Sequence, residues 1–173
     1  MAKRSSRSTR SAFKLNVAGT VVGIDPGLSQ GKPGALWAVR DGVLVETIDM
    51  PRIMFDNSSQ PFVDGLVVRQ FLERNDPDEI IIEMVSSRPG QGVSTTFKFG
   101  TNYGVVVGVA LATECPVSLV SPAVWKRRAG LLGLPKDAAR SLAIKLHPEA
   151  ASELRLKKHG GRADAGLIAR FGR

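Results

Sequence analysis

The sequence predicts an α/β protein built around a mixed sheet. Three apolar segments joined by tight turn signals open the chain and read as an antiparallel meander. An amphipathic helical stretch then leads into Ile80-Ile81-Ile82, which argues for a parallel crossover. After that, apolar runs and helical patterns alternate to the end.

Each element follows from its residues. Residues 16–24 are rich in Val and form the first strand, and 27–34 hold three glycines and a proline and form a turn. Residues 35–39 are the second strand, Asp41-Gly42 is a hairpin turn, and 43–48 are the third strand. Residues 50–61 read as irregular. Val63, Leu66, Val67 and Phe71 keep a helical period over 63–74, and Asn75-Asp76-Pro77 stops it. Residues 79–84 are the fourth strand, 86–92 a loop and 94–112 a helix carrying Gly100, Gly104 and Gly108. A fifth strand spans 115–120. A helical turn starts at Pro122, where proline suits a first helical position. Residues 135–146 form a short helix, 149–158 a weak helix or turn, and 163–171 the final helix; no internal repeat appears.

At 173 residues the chain is most simply one domain able to bury a core. With 43% hydrophobic and 23% charged residues it has an ordinary globular composition. Its net charge of +8 favours an acidic partner, nucleic acid first and an anionic membrane second. No apolar run reaches the roughly 18 residues a membrane span needs. Cys115 is the single cysteine, which excludes an internal disulfide and fits a reducing cytosol. Lys3, Arg4, Arg7 and Arg10 precede no apolar segment of the secretory kind, and no acid occurs before Asp25. Residues 1–15 read as a basic arm, disordered and solubilising or laid along phosphates, ahead of a single domain over 16–173.

Three acids carry the chemical signal. Asp25 ends the apolar run 21–24 and precedes Pro26-Gly27, Glu83 ends the Ile80–Ile82 run, and Asp164 lies in Gly160-Gly161-Arg162-Ala163-Asp164. Each has a plain alternative: an Asx turn for Asp25, an exposed strand end for Glu83, a helix cap for Asp164. Convergence explains all three with one cause, because acids at the ends of buried elements are costly without a cation. The chemistry they would support is two-metal phosphodiester hydrolysis, with Mg²⁺ preferred and Mn²⁺ able to substitute. His159 is the candidate for a fourth ligand or a proton carrier, with a solvated loop histidine as the equal alternative.

The chain resembles the RuvC-type Holliday junction resolvases, in their phage-encoded branch. The resemblance runs from about residue 21 to 169. It rests on Gly23-Ile24-Asp25-Pro26-Gly27, Ile80–Glu83, the stretch from Pro89-Gly90-Gln91-Gly92 through Phe97-Lys98-Phe99-Gly100 to Tyr103-Gly104, Pro122–Lys126 with Lys136, and His159–Ala165. It implies an RNase H-like fold, with a five-stranded mixed sheet whose strands one to three are antiparallel, flanked by helices. It also implies a homodimer that nicks a four-way DNA junction symmetrically with two Mg²⁺ ions, in the host cytoplasm if phage-encoded. Asp25, Glu83, Asp164 and His159 would hold metal, and Lys126 would stand nearest the scissile phosphate. Two departures stand out: Gly161 occupies a position where family members often carry an acid, and Met84-Val85-Ser86 follow Glu83 where bacterial relatives carry an aromatic wedge.

Basic residues supply the remaining candidates. Lys126, Arg127, Arg128, Lys136, Arg140 and Lys145 read as phosphate contacts or as a solvated helix face; Arg155, Lys157, Lys158 and Arg162 form a second basic cluster beside Asp164. Arg88, Gln91 and Lys98 would face DNA from the 86–92 loop and the helix after it. Phe97, Phe99 and Tyr103 read as core or dimer-interface residues rather than stacking platforms. The readings left open are a junction resolvase, a nuclease of flaps and forks, a branched-DNA module that does not cut, and, with little in its favour, an actin-like ATPase.

Overall fold

The computed structural model describes residues 18–29, 31–87 and 89–173. The basic arm over 1–15, the start of the first predicted strand and Arg88 lie outside the described residues.

Strand β1 (Thr20–Leu28) turns through Lys32 into β2 (Pro33–Arg40), and β3 (Val43–Asp49) follows a two-residue turn. Asp41 and Gly42 both adopt positive φ, 52° and 81°, the geometry that matches a tight hairpin to strand twist. Helix α1 (Gly65–Asn75) starts at Asp64, whose Oδ1 accepts the Leu66 and Val67 amides at 3.1 and 3.2 Å. Strand β6 (Glu79–Glu83), helix α2 (Val93–Leu111) and strand β7 (Val117–Val120) complete the crossovers. Helices α3 (Pro122–Arg128), α4 (Asp137–Leu146) and α5 (Gly160–Phe171) close the fold, with single 3₁₀ turns at Pro148–Ala150 and Lys157–His159. The region predicted irregular, 50–61, contains β4 (Arg52–Ile53), which pairs antiparallel with β5 (Phe62–Val63), so Val63 is a strand residue and not the start of the predicted helix.

The main sheet runs β3-β2-β1-β6-β7, antiparallel through the first three strands and parallel across β1, β6 and β7. Alternate side chains serve two cores. Val22, Ile24, Leu36, Ile80 and Ile82 pack with Phe71, Leu72 and Val106 beneath α1 and α2. Val21, Trp37 and Ile81 pack with Trp125, Leu154, Leu167 and Ile168 beneath α3–α5. Among the described residues no helix is long and apolar enough to cross a membrane.

Helix α5 lies unusually close to the sheet. A side chain on Gly23 would collide with the backbone of Ala165 and Ala169, and one on Gly166 would press on the Trp37 ring at 3.0 Å. A side chain on Gly161 would strike the Pro33 carbonyl. Helix α5 begins at Gly160 and not at 163. The Gly160-Gly161 pair reads as a loop by helix propensity, yet Gly161 permits the approach that seats the helix.

Candidate active site

The parallel geometry places Asp25 and Glu83 together. Ile24 of β1 pairs with Ile82 of β6, so the next residue on each strand emerges at the same edge of the sheet. Ligand sites in open α/β sheets lie at such strand ends. Asp164 is the fifth residue of α5, beyond the first turn, so it is not a helix cap. The close seating of α5 on β1 and β2 delivers it to the same place.

Asp25 Oδ1 accepts the Gly27 amide at 3.0 Å, so the predicted Asx-type turn is present. The carboxyl is nevertheless pushed up from 3.8 to about 7. Burial contributes most, then repulsion from Glu83; Asp164 adds to the rise, while the Gly27 amide and the Lys126 charge oppose it. Asp164 is pushed up to about 6, again chiefly by burial, with Lys126 pulling it down and Glu83 pushing it up. The three acids and Lys126 therefore form one electrostatic unit.

Glu83 is held by a neutral donor. The Trp125 indole Nε1–H donates to its Oε1 at 2.8 Å, and the Lys126 ammonium sits over the Trp125 ring, 5.1 Å from its centre. Two grooves meet at Asp25. One is lined by Lys32, Lys126, Lys136, Arg140 and Lys157 with Asp164, Gly161 and the 131–135 loop. The other is lined by Gly27, Glu83, Met84, Ser86, Gln91, Phe99 and Pro122.

The structure thus gathers Asp25, Glu83, Asp164 and Lys126, sets Lys136 and Arg140 along the first groove and Gln91 along the second. It does not bring His159 to them. That side chain is buried under its own turn, where Nδ1 accepts the Leu156 amide at 3.4 Å; burial, then the Arg162 charge, hold its pKa down. Arg162 is a clamp instead of a DNA contact, bonded to Asp49 at 2.6 Å and Glu153 at 2.5 Å. Arg128 donates to the Phe171 carbonyl at 3.3 Å, tying α3 to α5. Lys98 faces a different hollow, beside Phe55 and Asn102, and exposed Arg127 and Lys158 line neither groove. Lys32 and Trp125 are additions that sequence reading missed, while Lys157, from the basic cluster beside Asp164, lines the first groove. Lys32 sits in a Gly-Lys-Pro-Gly turn, and the β1–β2 register returns that turn to Asp25.

Among the described residues no three His, Cys, Asp or Glu side chains stand close enough to hold an ion unaided. Mg²⁺ is ordinarily held by one or two carboxylates, waters and substrate phosphates, and three oxygen-only donors from three elements suit that pattern. The donor set therefore fits Mg²⁺ or Mn²⁺ bound together with substrate, and His159 does not contribute to it.

The strand order and the helices on both faces define an RNase H-like fold. Solved structures of RuvC from Thermus thermophilus share it. One, in complex with a Holliday junction substrate, superposes with a TM-score of 0.57 at 21% identity, covering 87% of this chain and 89% of that one. Another gives 0.56 at 20% identity, covering 87% and 90%. No protein-family model matches the chain, and no curated protein does.

Proposed function

We propose that this protein is a metal-dependent endonuclease that resolves four-way DNA junctions. The observation carrying this reading is the meeting of Asp25, Glu83, Asp164 and Lys126 at the mouth of a groove lined by Lys32, Lys136, Arg140 and Lys157. Paired Mg²⁺ ions, when bound, would activate the attacking water and stabilise the leaving oxygen. The chain's own part is to hold three carboxylates where divalent charge relieves their repulsion. Lys126 would neutralise the phosphate being cut, and the groove lysines would hold its flanks. A RuvC structure with the same fold was solved with a Holliday junction substrate, which supports the junction as substrate.

Symmetric nicking needs two sites, and α2 offers a surface for a second copy. Val93, Phe97, Gly100, Gly104, Gly108 and Leu111 follow a 4-3-4-4-3 spacing along its exposed side. The three glycines meet nothing in their own chain, so another backbone could approach closely there. We read this protein as a homodimer paired through that stripe.

Cleavage of a synthetic four-way junction in Mg²⁺ or Mn²⁺, with flap, fork and linear controls, tests the proposal. Paired symmetric nicks that disappear in Asp25→Asn support it. Cutting of flaps and forks equally well favours a broader branched-DNA nuclease. Tight binding without cutting favours the module that does not cleave, a reading kept in play because Gly161 has no room for a fourth acid.

A further inference from the structure

We propose that Trp125 is a positioning residue: its indole N–H orients the Glu83 carboxylate, and its ring face seats the Lys126 ammonium. One buried ring thereby sets the relation between an acid and a base of the site. This inference rests on the nuclease reading and adds a residue to it.

The geometry makes the case. Trp125 is fully buried in the core beneath α3–α5. Its edge reaches Glu83 because β7 pairs with β6 at Val120 and Glu83, and α3 starts immediately afterwards at Pro122. The indole N–H can only donate. Trp37, also fully buried, has no acceptor for its Nε1–H among the described residues. The bond from Trp125 to Glu83 at 2.8 Å instead gives a buried indole N–H a charged acceptor in the site.

A neutral donor suits the task. An arginine in its place would cancel the carboxylate charge, whereas the indole fixes one oxygen and leaves the charge intact. Oε2 then remains available to a cation. The negative ring face meanwhile holds Lys126 at 5.1 Å. The lysine is thus kept beside the acids without a direct ion pair to Glu83.

The test replaces the N–H and nothing else. Global substitution of tryptophan by benzothienylalanine swaps the N–H for sulfur and preserves ring size; Trp37, having no acceptor, serves as a silent site. Trp125→Phe is the genetic counterpart. Supports for metal sites typically cost 10- to 100-fold in affinity or activity when lost. The expected result is a Mn²⁺ affinity, read by electron paramagnetic resonance with a cleavage-resistant phosphorothioate junction bound and a junction-only control subtracted, at least about 10-fold weaker than wild type, with a similar fall in junction kcat and an unchanged junction KM. The benzothienylalanine protein should still melt cooperatively, with its Tm lowered by no more than the loss of one hydrogen bond to a carboxylate. Unchanged Mn²⁺ affinity in both proteins overturns the proposal, as does wild-type protein that binds no Mn²⁺. Wild-type protein that binds Mn²⁺ but cuts no branched DNA sinks the nuclease reading alone, leaving the titration to decide the role of Trp125.

Discussion

Replacing Asp25 by asparagine should make the metal-free protein more stable, and increasingly so as pH rises. The folded carboxyl titrates near 7 against 3.8 for its ordinary value. At about 1.36 kcal/mol per pH unit, the ionised group costs the empty fold about 4 kcal/mol. The direction follows from proton counts. Between pH 4 and 7 the folded state retains a proton that the unfolded chain has released, so stability falls across that window and levels off above it. Asparagine keeps an oxygen for the Gly27 amide and carries no charge. Urea unfolding of both proteins in EDTA at pH 5 and pH 8 provides the assay. The mutant's advantage should widen by about 2.5 kcal/mol between the two values, because about 1.7 of the 4 kcal/mol is already lost by pH 5. Asp164, raised to about 6, titrates in both proteins and drops out of the comparison to first order. Adding Mg²⁺ together with junction DNA at pH 8 should stabilise the wild type more than the mutant. An advantage that is constant or shrinks with pH would refute the electrostatic account of Asp25.

Three further outcomes are expected. Lys136→Ala and Lys157→Ala should each flatten the log–log salt dependence of junction binding by about 0.9, one phosphate contact apiece, while Lys98→Ala leaves it unchanged. Gly161→Ala should lower stability in thermal melts by about 1–3 kcal/mol through overpacking against Pro33, so Gly161→Asp loses the fold before it gains a ligand. Gly104→Arg on the exposed side of α2 should yield a monomer by sedimentation, with the monomer's helix no weaker, since glycine is the poorer helix former by about 0.8 kcal/mol.

Much of the fold was legible because it is written locally. The runs Val21–Ile24 and Ile80–Ile82 are apolar without a break, as strands covered on both faces must be, and Asp41-Gly42 names its own turn. Asp25 and Glu83 were legible for the same reason, as single acids ending such runs. Charge counting failed where the answer depends on distant partners. Arg162 looks like any other basic residue near Asp164 until Asp49 and Glu153 fold against it. Trp125 lies in the core, yet the one polar atom of its side chain points from α3 at an acid on β6. His159 could not be placed from the sequence, because proximity to Asp164 says nothing about the 3₁₀ turn that faces the ring inward.

The glycine and alanine face of α5 also governs when the site comes into being. Asp25 is synthesised long before Asp164, and nothing local holds a place for the helix that carries it. Until α5 docks, Gly23, Ala35 and Trp37 on the sheet lack their cover. A contact between such distant segments forms late, because it must close the longest loop in the chain. A nascent or truncated chain ending before Gly160 can therefore own both strand acids and still have no working centre. Docking of the last helix therefore completes the set of acids, because Asp164 reaches Asp25 and Glu83 only when α5 covers the sheet.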